Sequence, residues 1–190
     1  MRRSNRTSAA AAGLAQPDTG AEPLRTYIES QWALRRKSQR PSPCLDYPFA
    51  RAVRDGGETS GASSAVHGDW GPHNPLVEDD RLVRTLDGAF AHAGDSAEGV
   101  GIARIYVEQT TDWCHFIAAC RTAGRPEMLE RRIHAGMRSH CLKGAALSAT
   151  STRNVGENGN RDYDKAMMSL SRLPQIKKQL VQLMLADAHG

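Results

Sequence analysis

Cys114, Cys120, His134, His140 and Cys141 are side chains able to ligate zinc and could be read together as a site. Their order, Cys-x5-Cys-x13-His-x5-His, resembles a zinc finger with stretched spacing. Structural zinc takes thiolates and imidazoles in a tetrahedron, normally with about two to four residues between its cysteines. On a helix, the longer spacing puts Cys114 and Cys120 on opposite faces. Buried thiols and surface histidines explain the residues better, so neither metal nor other cofactor is expected. Four cysteines in 190 residues make no disulfide framework and read as reduced thiols in a cytoplasm. Gly99-Val100-Gly101-Ile102-Ala103-Arg104 lacks the third glycine and the preceding strand of a dinucleotide loop. Gly-x-Ser-x-Gly, a Walker loop and His-Glu-x-x-His do not occur, and the scattered acids and histidines assemble no nucleophile with a base. The expectation is a protein that is not an enzyme.

Binding chemistry is the stronger signal. The formal charge is +4 and the isoelectric point about 9.0. The charge is segregated: 1–46 and 112–146 are basic, 76–98 is acidic. Such a pattern suits a chain that meets nucleic acid with one face. Residues 112–123 and 126–147 read as two helices joined by Thr122-Ala123-Gly124-Arg125, with Ala118 and Ala119 small enough for a close crossing. That is the layout of a helix-turn-helix. Its DNA-facing candidates are Arg121, Arg125, Glu127, Arg131, Arg132, His134 and Arg138, where guanidinium groups can hold phosphates or guanine edges. An ordinary helical hairpin within a bundle is the alternative.

The elements that would position these residues are helical. Mean hydropathy is −0.53 and aromatic content 5%, so the core is modest. No run approaches the roughly 18 apolar residues of a membrane helix. The pattern predicts an all-α fold: a small helical domain containing the helix-turn-helix, a disordered N-terminal leader and a C-terminal amphipathic helix. Residues 1–22 form the basic leader. Residues 23–54 hold a helix and a Tyr47-Pro48 turn, and 55–75 a Gly/Ser-rich loop. Residues 76–147 form the helix-turn-helix domain. It opens with a helix over about 76–92, on Leu76, Val77, Leu82, Val83, Leu86 and Phe90, and continues with one over 96–108 capped by Ser96. Residues 148–162 read as a linker and 163–190 as the last helix, with Leu173, Ile176, Leu180 and Leu183 along one stripe.

In order, Trp32-Ala33, Leu45-Asp46-Tyr47-Pro48, Asp79-Asp80-Arg81-Leu82-Val83, Ile105-Tyr106-Val107, Phe116-Ile117-Ala118 and Arg132-Ile133 with Gly136 resemble the Q-type late-gene antitermination proteins of phages and prophages. The likeness covers about 24–146. The stretch between Ile117 and Ile133 is one residue longer than the family's usual spacing, and Cys120 or Arg121 stands where a leucine is expected. The resemblance implies a sigma-region-4-like domain that binds double-stranded DNA, loads onto bacterial RNA polymerase and allows terminator read-through in the cytoplasm of a bacterial host. A phage DNA-packaging small subunit-like protein and a helical protein-protein interaction module are the alternatives.

Overall fold

A computed structural model describes residues 23–37, 41–55, 63–125, 127–157 and 163–188. The leader 1–22, the 56–62 part of the Gly/Ser-rich loop, Pro126 and the 158–162 part of the expected linker lie outside the described residues. The order is α1 (Pro23–Lys37), α2 (Pro43–Asp55), β1 (Ser63–Val66), β2 (Pro75–Glu78), β3 (Arg81–Thr85), a 3-10 turn (Gly88–Phe90), β4 (His92–Asp95), α3 (Ser96–Val107), α4 (Trp113–Thr122), α5 (Glu130–Glu157) and α6 (Tyr163–Ala188). The chain divides into two compact units, one built on Thr59–Met137, the other on Leu24–Glu58 with Arg138–Gly190.

The first unit overturns the all-α expectation. It holds two antiparallel two-stranded sheets, β1 with β4 and β2 with β3. The helix expected over 76–92 is the β2–β3 hairpin followed by the 3-10 turn. The hairpin turns at Asp79 and Asp80, both in the left-handed region (φ 48° and 56°). Two successive left-handed residues make the tight turn whose twist matches paired strands. Aspartate tolerates that conformation better than most residues. The two Leu-Val doublets, Leu76-Val77 and Leu82-Val83, satisfy an approximate helical period and a strand pairing equally well. Pairing prevails, with Val77 opposite Leu82, Glu78 opposite Arg81 and a register shift at Leu76/Val77.

β4 runs directly into α3. Asp95, not Ser96, caps that helix, its carboxylate accepting from the Ala97 N–H at 2.9 Å. α3 packs against β1 and β4 and buries Ala97, Ile102, Ala103 and Val107, while Ile133 of α5 is buried in the same unit. The approach of α3 to α5 is close because two glycines meet it: a Cβ on Gly101 would stand 2.3 Å from the Ile133 carbonyl oxygen, and one on Gly136 2.6 Å from the Glu98 Cα. α4 is capped by Asp112, as its position before the apolar run predicts, but buries no residue completely. α4 and the first turns of α5, to Met137, therefore belong to an α+β unit and not to a sigma-region-4-like four-helix domain.

In the second unit, Ile28 of α1 is buried, Phe49 of α2 is fully buried edge-on to Trp32, and α2 packs on α6. Leu180 and Leu183 are buried, so the α6 stripe faces its own unit. α5 runs on to Glu157, through much of the segment read as linker.

Candidate active site

The chain leaves β1 at His67 and reaches β2 at Pro75. The segment between, His67-Gly68-Asp69-Trp70-Gly71-Pro72-His73-Asn74, is held by hydrogen bonds to one residue far along the chain. The Leu86 carbonyl accepts from His67 Nε2 at 2.8 Å, and the Leu86 N–H donates to the Asn74 carbonyl at 2.8 Å. A carbonyl only accepts, so His67 carries its proton on Nε2. Its Nδ1 is buried without a hydrogen-bond partner. Gly68 lies in the left-handed region at φ +76°, and a Cβ there would stand 2.2 Å from the Phe90 carbonyl oxygen. Both the conformation and the close approach demand glycine.

Asn74 is buried (4% exposed) and donates from Nδ2 to the Asp69 carbonyl at 2.7 Å, while its own N–H donates to the Gly71 carbonyl at 3.0 Å. Because Asp69 offers a carbonyl there, the amide must present its NH2 to it, leaving Oδ1 as the remaining acceptor. The Asp69 carboxylate keeps 27% exposure, with His73 Nε2 3.9 Å from its Oδ2. One residue past Leu86 stands Asp87, exposed, left-handed at φ 54°, its carboxylate capping the 3-10 turn through the Ala89 N–H at 3.3 Å. The two bonds to Leu86 thus tie the loop that carries Asp69, its carboxylate partly exposed, and Asn74 to the residue next to Asp87. The order His-x-Asp-x-x-x-x-Asn is that of the protein-kinase catalytic loop, with Gly68 where those enzymes carry arginine. A carboxylate and an amide oxygen are hard donors suited to Mg2+. Among the described residues no group of three or more His, Cys, Asp or Glu side chains is placed to hold a metal ion, so a cation held here would need further donors from a bound phosphate.

These residues escaped the sequence reading. His67, Asp69 and Asn74 lay in the segment taken as a Gly/Ser-rich loop, and Asp87 in the expected helix. The signal was the spacing itself, His67, Asp69 and Asn74, with an aspartate after the next pair of apolar runs.

Of the residues expected to face DNA, some are paired within the protein and others are exposed. Arg132 turns inward, Nε 2.8 Å and Nη2 2.5 Å from the carboxylate of Asp95, itself 5% exposed. His134 Nε2 lies 3.3 Å from Glu130 Oε1, which also accepts from Arg104. Arg121 pairs with Glu127 at 3.4 Å, with both exposed. Arg125 and Arg131 are exposed, and Arg138 belongs to the second unit. Of the thiols and imidazoles weighed for zinc, Cys114 and Cys120 lie in the first unit with His134, while His140 and Cys141 lie in the second. Burial pushes the Cys141 thiol up to about 12, and its sulfur donates to Gln179 Oε1 at 3.6 Å. Among the described residues no helix is long and apolar enough to cross a membrane.

No protein-family model matches the chain, and no curated protein matches it. Solved structures do. A protein from Ralstonia eutropha assigned as an aminoglycoside phosphotransferase is similar over 92% of this chain and 59% of its own, with TM-score 0.69 and 15% identity. Macrolide 2'-phosphotransferase type I matches over 90% of this chain and 52% of its own, with TM-score 0.60 and 20% identity. A mutant of aminoglycoside phosphotransferase APH(4)-Ia, in ternary complex with ADP and hygromycin B, matches over 84% and 53%, with TM-score 0.53 and 18% identity. The chain spans between half and three fifths of the length of these structures. At such identities the likeness concerns the fold, which is α+β and phosphotransferase-like. It overturns the resemblance to Q-type antiterminators. With that resemblance go the DNA-binding regulator reading, its packaging and interaction-module alternatives, the double-stranded DNA and RNA polymerase partners, and the expectation of a non-enzyme.

Proposed function

We propose that this chain carries the catalytic-loop portion of a kinase-like phosphotransferase that moves the γ-phosphoryl group of a nucleoside triphosphate to a hydroxyl of a small acceptor. The observation that carries the reading is the His67–Asn74 loop, tied through Leu86 to the residue next to Asp87, with the Asp69 carboxylate partly exposed on it. Asp69 takes the role of the kinase-loop aspartate and accepts the proton of the acceptor hydroxyl. The acceptor oxygen forms a bond to Pγ as the bond from Pγ to the β-γ bridging oxygen breaks, and the diphosphate leaves. Asn74 and Asp87 would hold Mg2+, which when bound neutralises charge on the β- and γ-phosphates. Gly68 lets the loop pass under the Phe90 carbonyl, and His67 fixes its start on Leu86. The similar structures are phosphotransferases of aminoglycosides and macrolides, which supports a hydroxyl-rich antibiotic of either class as acceptor.

The test incubates the protein with Mg-ATP and a panel of aminoglycosides and macrolides and measures ADP release and phosphorylated product. Asp69→Asn should lower kcat by about 10²–10⁴-fold, the usual worth of a positioned general base. A wild type that neither binds nucleotide nor transfers phosphate, or transfer indifferent to Asp69→Asn, overturns the proposal.

A further inference from the structure

Glu98 is the most deeply buried carboxylate of the first unit, 1% exposed on α3, and it lies outside the proposed reacting groups. Its Oε2 is 3.1 Å from His92 Nε2, and His92 Nδ1 is 2.9 Å from the Phe90 carbonyl oxygen. That oxygen is the atom a Cβ on Gly68 would meet at 2.2 Å. A continuous line of contacts therefore runs from α3 through His92 and Phe90 to the residue before Asp69. Phe90 also closes the 3-10 turn that Asp87 caps, so whatever holds Phe90 holds Asp87. The fold makes room for the pair: a Cβ on Gly94 would stand 2.9 Å from Glu98 Oε2 and 3.1 Å from His92 Nε2. A buried carboxylate is costly unless it is paired and hydrogen-bonded, and here its partner is a ring whose other nitrogen is committed to the backbone.

We propose that Glu98 and His92 form a buried brace that positions the Asp69 loop against Asp87; its catalytic consequence rests on the phosphoryl-transfer reading, its geometry does not. The proton count supports a brace in either protonation arrangement. The Phe90 carbonyl can only accept, so Nδ1 bears a proton. The Nε2 contact then needs one more, either on the ring, donated to the carboxylate, or on Glu98, donated to the ring. Both arrangements keep both bonds. Neither side chain touches the reacting atoms, so both are positioning residues, and the pair should fail as a unit.

The test compares Glu98→Ala, His92→Ala, the double variant and Glu98→Gln. The glutamine NH2 can still donate to a neutral ring at Nε2 and so preserves both bonds. The first readout is backbone amide exchange at residues 68–69 and 88–90; the second is affinity for Mn2+ alone, by electron paramagnetic resonance. Each alanine variant should raise exchange at these amides about tenfold and weaken Mn2+ binding about fivefold. The double variant should be no worse than either single, and Glu98→Gln should stay within twofold of wild type. Unchanged exchange, additive effects in the double variant, or a glutamine variant as damaged as the alanine one overturns the brace. If Glu98→Ala does not fold, His92→Ala and Glu98→Gln still decide. A wild type that binds no Mn2+ counts against the phosphoryl-transfer reading, while the exchange pattern judges the brace separately.

Discussion

Gly68→Ala offers the sharpest stability test, because a matched control exists in the same unit. Gly68 and Gly124 both sit in the left-handed region, at φ +76° and +81°. A side chain in that conformation costs about 1–2 kcal/mol for chirality alone. At Gly124 that is the whole effect, since a Cβ there meets nothing within 4 Å. At Gly68 the new Cβ would lie 2.2 Å from the Phe90 carbonyl oxygen and 2.9 Å from its carbon. Ordinary C···O approach stops near 3.3 Å, so more than an ångström of overlap must be relieved. The obstacle is backbone, so no rotamer change helps, and overpacking of this kind adds about 1–3 kcal/mol. Gly68→Ala should therefore cost roughly 2–5 kcal/mol, against about 1–2 for Gly124→Ala. The assay is urea unfolding of both variants, followed by tryptophan fluorescence and by amide exchange in the first unit. Equal losses, or a Gly68→Ala loss below about 1 kcal/mol, would refute the claim that the loop is pressed against Phe90.

Arg132→Ala should cost about 3 kcal/mol, because it strands the Asp95 carboxylate, 5% exposed, without its guanidinium partner. Arg131→Ala, one residue away and exposed, should cost within about 0.5 kcal/mol, and a reversed order in urea midpoints would show Arg132 facing solvent. Cys141, whose thiol burial lifts to about 12, should react with a thiol reagent far more slowly than exposed Cys44 and Cys114. Its folded value lies above the unfolded one, so the thiol's contribution is complete below the unfolded value, near pH 9. It falls by about 1.4 kcal/mol per pH unit from there toward pH 12. Stability of Cys141→Ala should decline less steeply across that window, and parallel declines would mean that the thiol reaches water.

What was readable in the sequence and what was not divides by the range of the deciding interaction. Asp112 before Trp113, and the apolar run of α3, are local signals, and both helices lie where those signals put them. The β2–β3 hairpin was misread although its signal was also local, since the Asp79-Asp80 pair outweighs the helical period of the two Leu-Val doublets. The exposure of those doublets is the physical counterpart: Leu76, Val77, Leu82 and Val83 are 40–60% exposed, so the buried stripe that periodicity implies does not exist. Arg132 was misread for a different reason. A guanidinium fork fits a phosphate and a carboxylate alike, and its actual partner, Asp95, lies 37 residues earlier in the chain. The His67–Asn74 loop is the extreme case. Nothing about its backbone is periodic, and its shape comes from Leu86 and Phe90, beyond the hairpin. Only the chemistry of His67, Asp69 and Asn74 at fixed spacing is written locally. Where a loop is held by distant backbone partners, the spacing of its polar side chains is therefore the signal that stays local, because no hydrophobic period accompanies a shape set from elsewhere in the chain.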